Sequence, residues 1–346
     1  MSPEGRVAPG GNGELEAVCI GETMAMVTPA RTEPLEEADG FALRAGGAES
    51  NVAMYLAGLG HRVGWVSRLG NDPLGRRVLR EVSAAGVDTA LVELDEAAPT
   101  GVFFKDPGRD VTRVYYYRAN SAASLMDLRL LAPVLTTPPL LVHLTGITPA
   151  LSASCDSMIS QLLVELAHGA TTVSFDVNFR EGLWPPHKAA PRLLELAQEA
   201  DVVFVGFDEA NTLWGVSTPE ELRALMDRPG FLVVKDGGVG ATVLHAQGRE
   251  FVPALEVEVH EPVGAGDAFA AGWLSGLLRG LPHAQRLRLG HLLASLALSS
   301  TADHLALPAG EWQEAALAAT EAEWVALRPP GQDPRASAQG AGGAGS

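Results

Sequence analysis

The chain has 346 residues, 47% of them apolar, enough to bury a large core, and a formal net charge of −17. That charge argues against an electrostatically driven binder of nucleic acid or of an anionic membrane, so an anionic ligand would need local arginine and lysine. Two cysteines, Cys19 and Cys155, exclude a disulfide framework, offer no zinc-ligand cluster and suit a reducing compartment.

In chain order, residues 1–13 carry almost no apolar side chains and read as a disordered tail. Residues 329–346, rich in Pro, Gly, Ala and Ser, read the same way. The folded unit is expected over 14–328. No apolar run is long enough to span a bilayer and no signal-peptide core stands at the start, so the cytoplasm is the expected compartment. Short apolar runs at 17–21, 63–68, 140–144, 172–176, 202–205, 231–235 and 242–245 predict strands. Between them, 50–59 places Val52, Tyr55, Leu56 and Leu59 on one helical face, and 73–85 does so with Leu74, Val78 and Val82. Further helices are expected over 158–168 and 191–200. This alternation calls for a three-layer α/β domain, a mostly parallel sheet covered by helices on both faces. Segments 22–45 and 101–118 interrupt it with β-like pieces, the second holding a Pro107-Gly108 turn, and are expected to form a small inserted β-sheet able to act as a lid.

Gly264-Ala265-Gly266-Asp267, followed by Ala268-Phe269-Ala270-Ala271-Gly272-Trp273, carries the clearest chemistry. Glycines before helix formers present free backbone N–H groups, backed by the helix dipole, to an anion. Asp267, in the first helical turn, is a cap or a general base that takes a hydroxyl proton during phosphoryl transfer. Along the same helix Phe269, Trp273 and Leu277 form a bulky core stripe. Ala268, Gly272 and Gly276 form a small stripe that allows close packing.

A second glycine-rich element, Gly46-Gly47-Ala48-Glu49-Ser50-Asn51, opens the helix at 50–59 and is followed by Gly70-Asn71-Asp72-Pro73-Leu74-Gly75. Together with the turn at Gly264, this pair resembles the two signatures of the ribokinase-like (PfkB) carbohydrate kinases. Within that family, Tyr115-Tyr116-Tyr117-Arg118, the run from His143 to Leu151 and Phe175-Asp176-Val177-Asn178-Phe179-Arg180 are similar to the 2-keto-3-deoxygluconate kinases. The resemblance implies an ATP- and magnesium-dependent enzyme that phosphorylates the 6-hydroxyl of a sugar acid. It implies Asp267 as base and Gly264, Ala265 and Gly266 as anion hole. It places Gly47, Asn51, Phe103, Tyr116, Tyr117, Arg118, Ile147, Asp267 and Asp303 around the sugar, with Phe103 where relatives can carry Tyr. It places Asn178, Arg180, Gly206, Lys235, Gly237, Gly238, Gly240, Gly264, Gly266 and His291 around ATP, and Glu209 at magnesium through water. It also implies association of two chains through the lid. Arg118 and Arg180 are the candidate forks for a carboxylate in an acidic chain.

Two positions depart from the family pattern. Gly206-Phe207-Asp208-Glu209 keeps only the Glu of a usual Asn-x-x-Glu, and Glu261-Pro262 stands where Asp-Thr is common. Competing readings are another sugar kinase of this family, such as a fructokinase or dehydro-deoxygluconokinase, and a non-catalytic sugar-binding protein on the same fold. A dinucleotide fingerprint fails because Phe269 stands where the third glycine belongs, and no Walker A sequence follows either glycine loop.

Overall fold

The computed structural model describes residues 14–31, 33–107, 112–259, 263–299 and 310–329. The expected tails lie outside these residues except for Pro329, which is buried, and so do Gly108, Glu261, Pro262 and Asp303.

The chain enters on β1 (Ala17–Ile20), then makes β2 (Met24–Pro29) and β3 (Phe41–Gly46) before α1 (Ala48–Gly58). β4 (Val63–Gly70), α2 (Pro73–Ala84) and β5 (Val92–Asp95) follow, then the hairpin strands β6 (Val102–Pro107) and β7 (Thr112–Tyr117). After α3 (Ala132–Thr136) the alternation resumes with β8 (Leu141–Thr145), α4 (Ile147–Leu151), α5 (Ala153–Leu166), β9 (Thr172–Asp176) and α6 (Pro186–Gln198). It continues through β10 (Val202–Gly206), α7 (Phe207–Trp214), α8 (Pro219–Leu225), β11 (Phe231–Asp236), β12 (Gly240–His245) and β13 (Gly248–Pro253). Helices α9 (Ala265–Leu278), α10 (His283–Leu298), α11 (Gly310–Ala318) and α12 (Glu321–Ala326) complete the described chain. Among the described residues no helix is long and apolar enough to cross a membrane.

Nine strands form one sheet in the order β13-β12-β11-β10-β9-β8-β1-β4-β5. The seven from β11 to β5 run parallel, and β12 and β13 are antiparallel at one edge. Strands β8, β9 and β10 are buried along nearly every residue, as a sheet covered on both faces requires. Two apolar layers result, one between the sheet and α1, α9 and α10, the other between the sheet and α5 and α6. The chain leaves β1 toward β4 on one side, while β8 lies on the other. The strand order therefore reverses at β1, where open α/β sheets place their ligands.

The two interrupting segments do form a separate sheet, ordered β3-β2-β6-β7. Its pairing puts Met24, Met26, Phe103, Val114 and Tyr116 on one face and Phe41, Phe104, Tyr115 and Tyr117 on the other. All seven expected strands are present within two residues at either end. β5 and β13 escaped notice because Val-Glu-Leu-Asp and Gly-Arg-Glu-Phe-Val-Pro are short, charged edge strands without a continuous apolar run. Two helices begin a turn or more earlier than their apolar pattern. Ser152 caps α5 by accepting the Cys155 N–H, and Pro186 opens α6, which leaves Pro191 inside the helix.

The small stripe of α9 meets α10. A Cβ on Gly272 would lie 2.4 Å from the Leu289 carbonyl oxygen, and one on Gly276 would lie 3.0 Å from the Arg286 side chain. The bulky stripe is core: Trp273 is fully buried with its ring edge-on to Phe204 at 5.5 Å. Gly272→Val should therefore cost about 1–3 kcal/mol or more, since backbone cannot yield as a side chain can. Gly182→Ala, in open space, should stay within about 0.5 kcal/mol of the parent. Urea unfolding of both variants checks this; equal midpoints would show that α9 and α10 separate easily.

Candidate active site

Five adjacent parallel strands deliver their carboxyl ends to one place. β1 is followed by Glu22, β8 by Ile147, β9 ends in Asp176 with Asn178 just beyond, β10 leads to Glu209, and β11 carries Lys235. Two clefts open there. The first, of about 400 Å³, is lined from the lid by Met24, Phe103, Val114, Tyr116 and Arg118, and from the main domain by Gly47, Asn51, Ile147, Asn178, Arg180, Gly264 and Asp267. The second, of about 680 Å³, is lined by Gly206, Gly237, Gly238, Gly240, Leu255, Val257, Phe269, His291 and Leu298. Glu209, Lys235 and Gly266 belong to both, so the clefts meet at the start of α9.

At this junction Gly264 adopts φ 89°, a conformation that disfavours any side chain, and α9 begins at the next residue. Its first intrahelical bond is from the Ala268 N–H to the Gly264 carbonyl at 3.0 Å. The N–H groups of Ala265, Gly266 and Asp267 come before it in the helix and have no intrahelical acceptor. Asp267 is 9% exposed. Its Oδ2 accepts the Asn51 amide at 2.9 Å and its Oδ1 that of Asn178 at 3.5 Å. Asn178 is held at φ 39°, in the left-handed region that Asn tolerates. Two amides from opposite sides of the sheet's crevice thus fix one carboxylate.

Burial pushes the Asp267 carboxyl up to about 7, and nearby Asp176 adds to this, while the Asn51 amide, Arg180 and Lys235 oppose it. Lys235 Nζ donates to Asp176 Oδ2 at 2.7 Å and stands 3.5 Å from where a Gly266 Cβ would be. Burial works against the Lys235 charge, yet Asp176 and Glu209 hold its pKa above the ordinary lysine value. Glu209 is raised, by burial first and then by Asp176. Its Oε2 accepts the Gly206 N–H at 3.0 Å, and Arg180 Nη1 stands 3.7 Å from its Oε1.

Several expected residues stand differently from one another. Arg118 lines the first cleft with its guanidinium over the Tyr116 ring at 5.6 Å, but its Nη2 is paired with Glu22. Glu22 Oε1 also accepts the Ser121 hydroxyl at 2.6 Å. Arg118 is thus a neutralised fork, which its sequence context did not disclose. Tyr117 projects from the opposite face of β7, 67% exposed and edge-on to Phe104, so the structure does not bring it to the cleft. Strand alternation is the reason: of the three consecutive tyrosines only Tyr116 faces inward. His291 lines the second cleft but is buried, bonded through Nε2 to the Val252 carbonyl at 3.0 Å. It packs edge-on to Phe269, and burial lowers its pKa to about 4, so it is neutral.

The sequence reading missed Glu22, Asp176 and Glu49. Asp176 ends a buried strand, which was the available signal; Glu22 has none in the sequence. Glu49 is fully buried below the first cleft, its Oε1 accepting the Thr145 and Thr148 hydroxyls at 2.7 and 2.8 Å, and burial raises its pKa. A Cβ on Gly21 would collide with that carboxyl group, so the turn after β1 is closed to larger residues.

The sequence pattern of the pfkB family carbohydrate kinases matches residues 14–309. The chain belongs to that family. It is 35% identical over 304 residues to a 2-dehydro-3-deoxygluconokinase of Bacillus subtilis (strain 168), covering 86% of this chain and 94% of the relative. It is 31% identical over 299 residues to a 2-dehydro-3-deoxygalactonokinase of Haloferax volcanii, covering 81% and 90%. Among solved structures, a PfkB protein from Polaromonas sp. JS666 superposes with a TM-score of 0.76 at 36% identity, covering 83% of this chain and 97% of that one. This chain is therefore a carbohydrate kinase on the ribokinase-like fold, and ATP binding follows from the family.

The raised Asp267 pKa has a definite sign in stability. Between the ordinary aspartate value of 3.8 and about 7 the folded state holds a proton that the unfolded chain has released. This group's contribution is therefore full below about 4 and lost as pH rises through about 7. Asp267→Asn should gain stability relative to the parent across that interval, measured by urea unfolding of the ligand-free proteins. A difference independent of pH would show that Asp267 ionises normally.

Proposed function

We propose that the enzyme transfers the γ-phosphoryl group of ATP to the 6-hydroxyl of 2-keto-3-deoxygluconate, the sugar acid also called 2-dehydro-3-deoxygluconate. The observation that carries this reading is the position of Asp267, a buried carboxylate at the N-terminus of α9, in the wall where the two clefts meet. The sugar acid occupies the first cleft under the lid and ATP the second, its phosphates reaching Lys235 and the start of α9. Asp267 takes the proton from the sugar hydroxyl as that oxygen attacks the γ-phosphorus. The bond to the bridging oxygen breaks, and ADP leaves with its electron pair. N–H groups of Ala265, Gly266 and Asp267 receive the charge on the transferred group. A carboxylate titrating near 7 is matched to this task, because near neutrality a large fraction of it is ionised and it is still basic enough to accept the proton.

Magnesium fits the residues at the junction. The donors are carboxylate oxygens, which suit a hard ion, and Asp176 Oδ1 is buried without a hydrogen-bond partner. Asp176 and Glu209 would hold the ion, directly or through water, and the ion would neutralise phosphate charge.

A neutral-ketose kinase is the second reading. The Glu22 pairing favours it, since Arg118 already has a carboxylate. ADP release with 2-keto-3-deoxygluconate, its galactonate epimer, fructose and ribose separates the two. Sugar-acid turnover alone supports our reading, and turnover on fructose alone replaces it. Asp267→Asn should lower kcat by several powers of ten with little change in KM; near-normal kcat would remove Asp267 as the base. Arg118→Ala should raise KM for the sugar acid about tenfold or more, and an unaltered preference for acid over neutral sugar would assign Arg118 to holding Glu22 alone.

The face of the lid sheet turned away from the cleft carries Phe41, Tyr115 and Tyr117, each more than two-fifths exposed. On the same reading it meets the lid of a second chain. Sedimentation of Tyr117→Asp against the parent tests this; a parent that stays monomeric removes the pairing.

A further inference from the structure

At the antiparallel edge of the large sheet, away from both clefts, His245, Glu250 and His283 converge. One ligand atom from each lies within 4.8 Å of the other two. They come from three elements. His245 closes β12, Glu250 stands in β13 opposite Val243 and so projects from the same face of the hairpin as His245, and His283 is the first residue of α10. The two imidazoles lie 4.1 Å apart between centroids, and the His283 ring rests 5.3 Å from Phe231.

Gln247 faces His245 Nδ1 with its side-chain Oε1 at 2.9 Å and its backbone N–H at 3.3 Å; with the proton on Nδ1, that nitrogen donates to Oε1, which leaves the lone pair on Nε2. The nitrogen left for a ligand is Nε2, which is buried and has no hydrogen-bond partner. A buried polar atom in that condition costs free energy that a ligand would recover. The charge arrangement points to a cation as that ligand. Glu250 puts an anionic carboxylate in the cluster itself, beside two imidazoles, and so offsets the charge of the nearby Arg286 guanidinium, which lies over Phe231 and Trp273 at 5.4 and 5.6 Å. Two imidazole nitrogens and one carboxylate oxygen suit borderline divalent transition metals and not magnesium or calcium, which take oxygen.

We propose that His245, Glu250 and His283 bind one divalent transition-metal ion of the zinc class, tying the β12–β13 edge to the start of α10. Zn–N bonds of about 2.0–2.1 Å require the three ligand atoms to draw inward by roughly an ångström. The hairpin's short end and the first helical turn can supply that movement. The ion reinforces an existing tie between the same elements, the bond from His291 of α10 to the β13 carbonyl of Val252. Its role is structural, since none of the three residues lines either cleft.

The test uses the full-length, untagged chain after treatment with a chelator. Calorimetric titration with Zn²⁺ should give one ion per chain, Zn²⁺ but not Mg²⁺ should raise Tm, and Co²⁺ should produce a visible d–d band. Glu250→Gln should weaken Zn²⁺ binding about tenfold or more, and His245→Asn should abolish the Co²⁺ band. Both variants should keep the parent's Mg-ATP turnover without zinc, which reports that they are folded. Glu250 is only part-buried, so its variant stands as the deciding one if His245→Asn fails to fold. Zinc affinity unchanged by Glu250→Gln, or no zinc-dependent shift of Tm in the parent, overturns the site and leaves a stacked histidine pair.

Discussion

The structure depends on the burial of two carboxylates, Asp176 and Asp267, and the partial burial of a third, Glu209, around one lysine at the carboxyl ends of the central strands. Buried ionised carboxylates are costly unless paired, and among the described residues Lys235 bonds directly only to Asp176. Glu209 shifts part of its charge onto the Gly206 N–H and the neighbouring Arg180. Asp267 is left with two neutral amides and the N-terminal dipole of its own helix. Its proton affinity rises accordingly, and that rise follows from the architecture as a whole. It takes a parallel sheet to bring strand ends together, and a strand-order reversal to leave the crevice that holds them.

Rigidity at that point has a separate origin. The Asp267 carboxylate is as well placed as α9, and α9 is held by backbone approach to α10 at Gly272 and Gly276 and by Trp273 and Phe269 pressed into the sheet-side core. Asn51 and Asn178 then fix the carboxylate from two other elements. A carboxylate supported by its own helix, a second helix and the residue just beyond a strand end is held from three sides. The lid is the contrast. Four strands with a small cluster of Met24, Met26 and Phe103 form its inner face, a thinner core than either layer against the large sheet.

The electrostatics of the first cleft differ between its two ends. Glu22 and Arg118 neutralise each other at the lid end, whereas the junction at α9 carries the acidic excess. The lid end is therefore a polar, nearly neutral surface with an aromatic wall at Phe103 and Tyr116. Charge is concentrated at the junction of the two clefts.

Much of this was legible in the sequence because it is local. Helix and strand periodicity, the glycine turn before Asp267 and the small stripe behind it are properties of consecutive residues, and they yielded the sheet, its helices and the place of Asp267 at the start of α9. Residues 22–45 and 101–118 were recognisable as β insertions for the same reason. Tertiary structure decided what depends on residues far apart in the chain. It paired Glu22 with Arg118 and Asp176 with Lys235, turned Tyr117 outward by strand alternation, and set His245, Glu250 and His283 beside one another. Sequence determines which groups are available, since chemistry belongs to the side chain. Only folding determines their partners and their dielectric surroundings, and with them which carboxylate is an ion-pair member and which holds its proton toward neutrality.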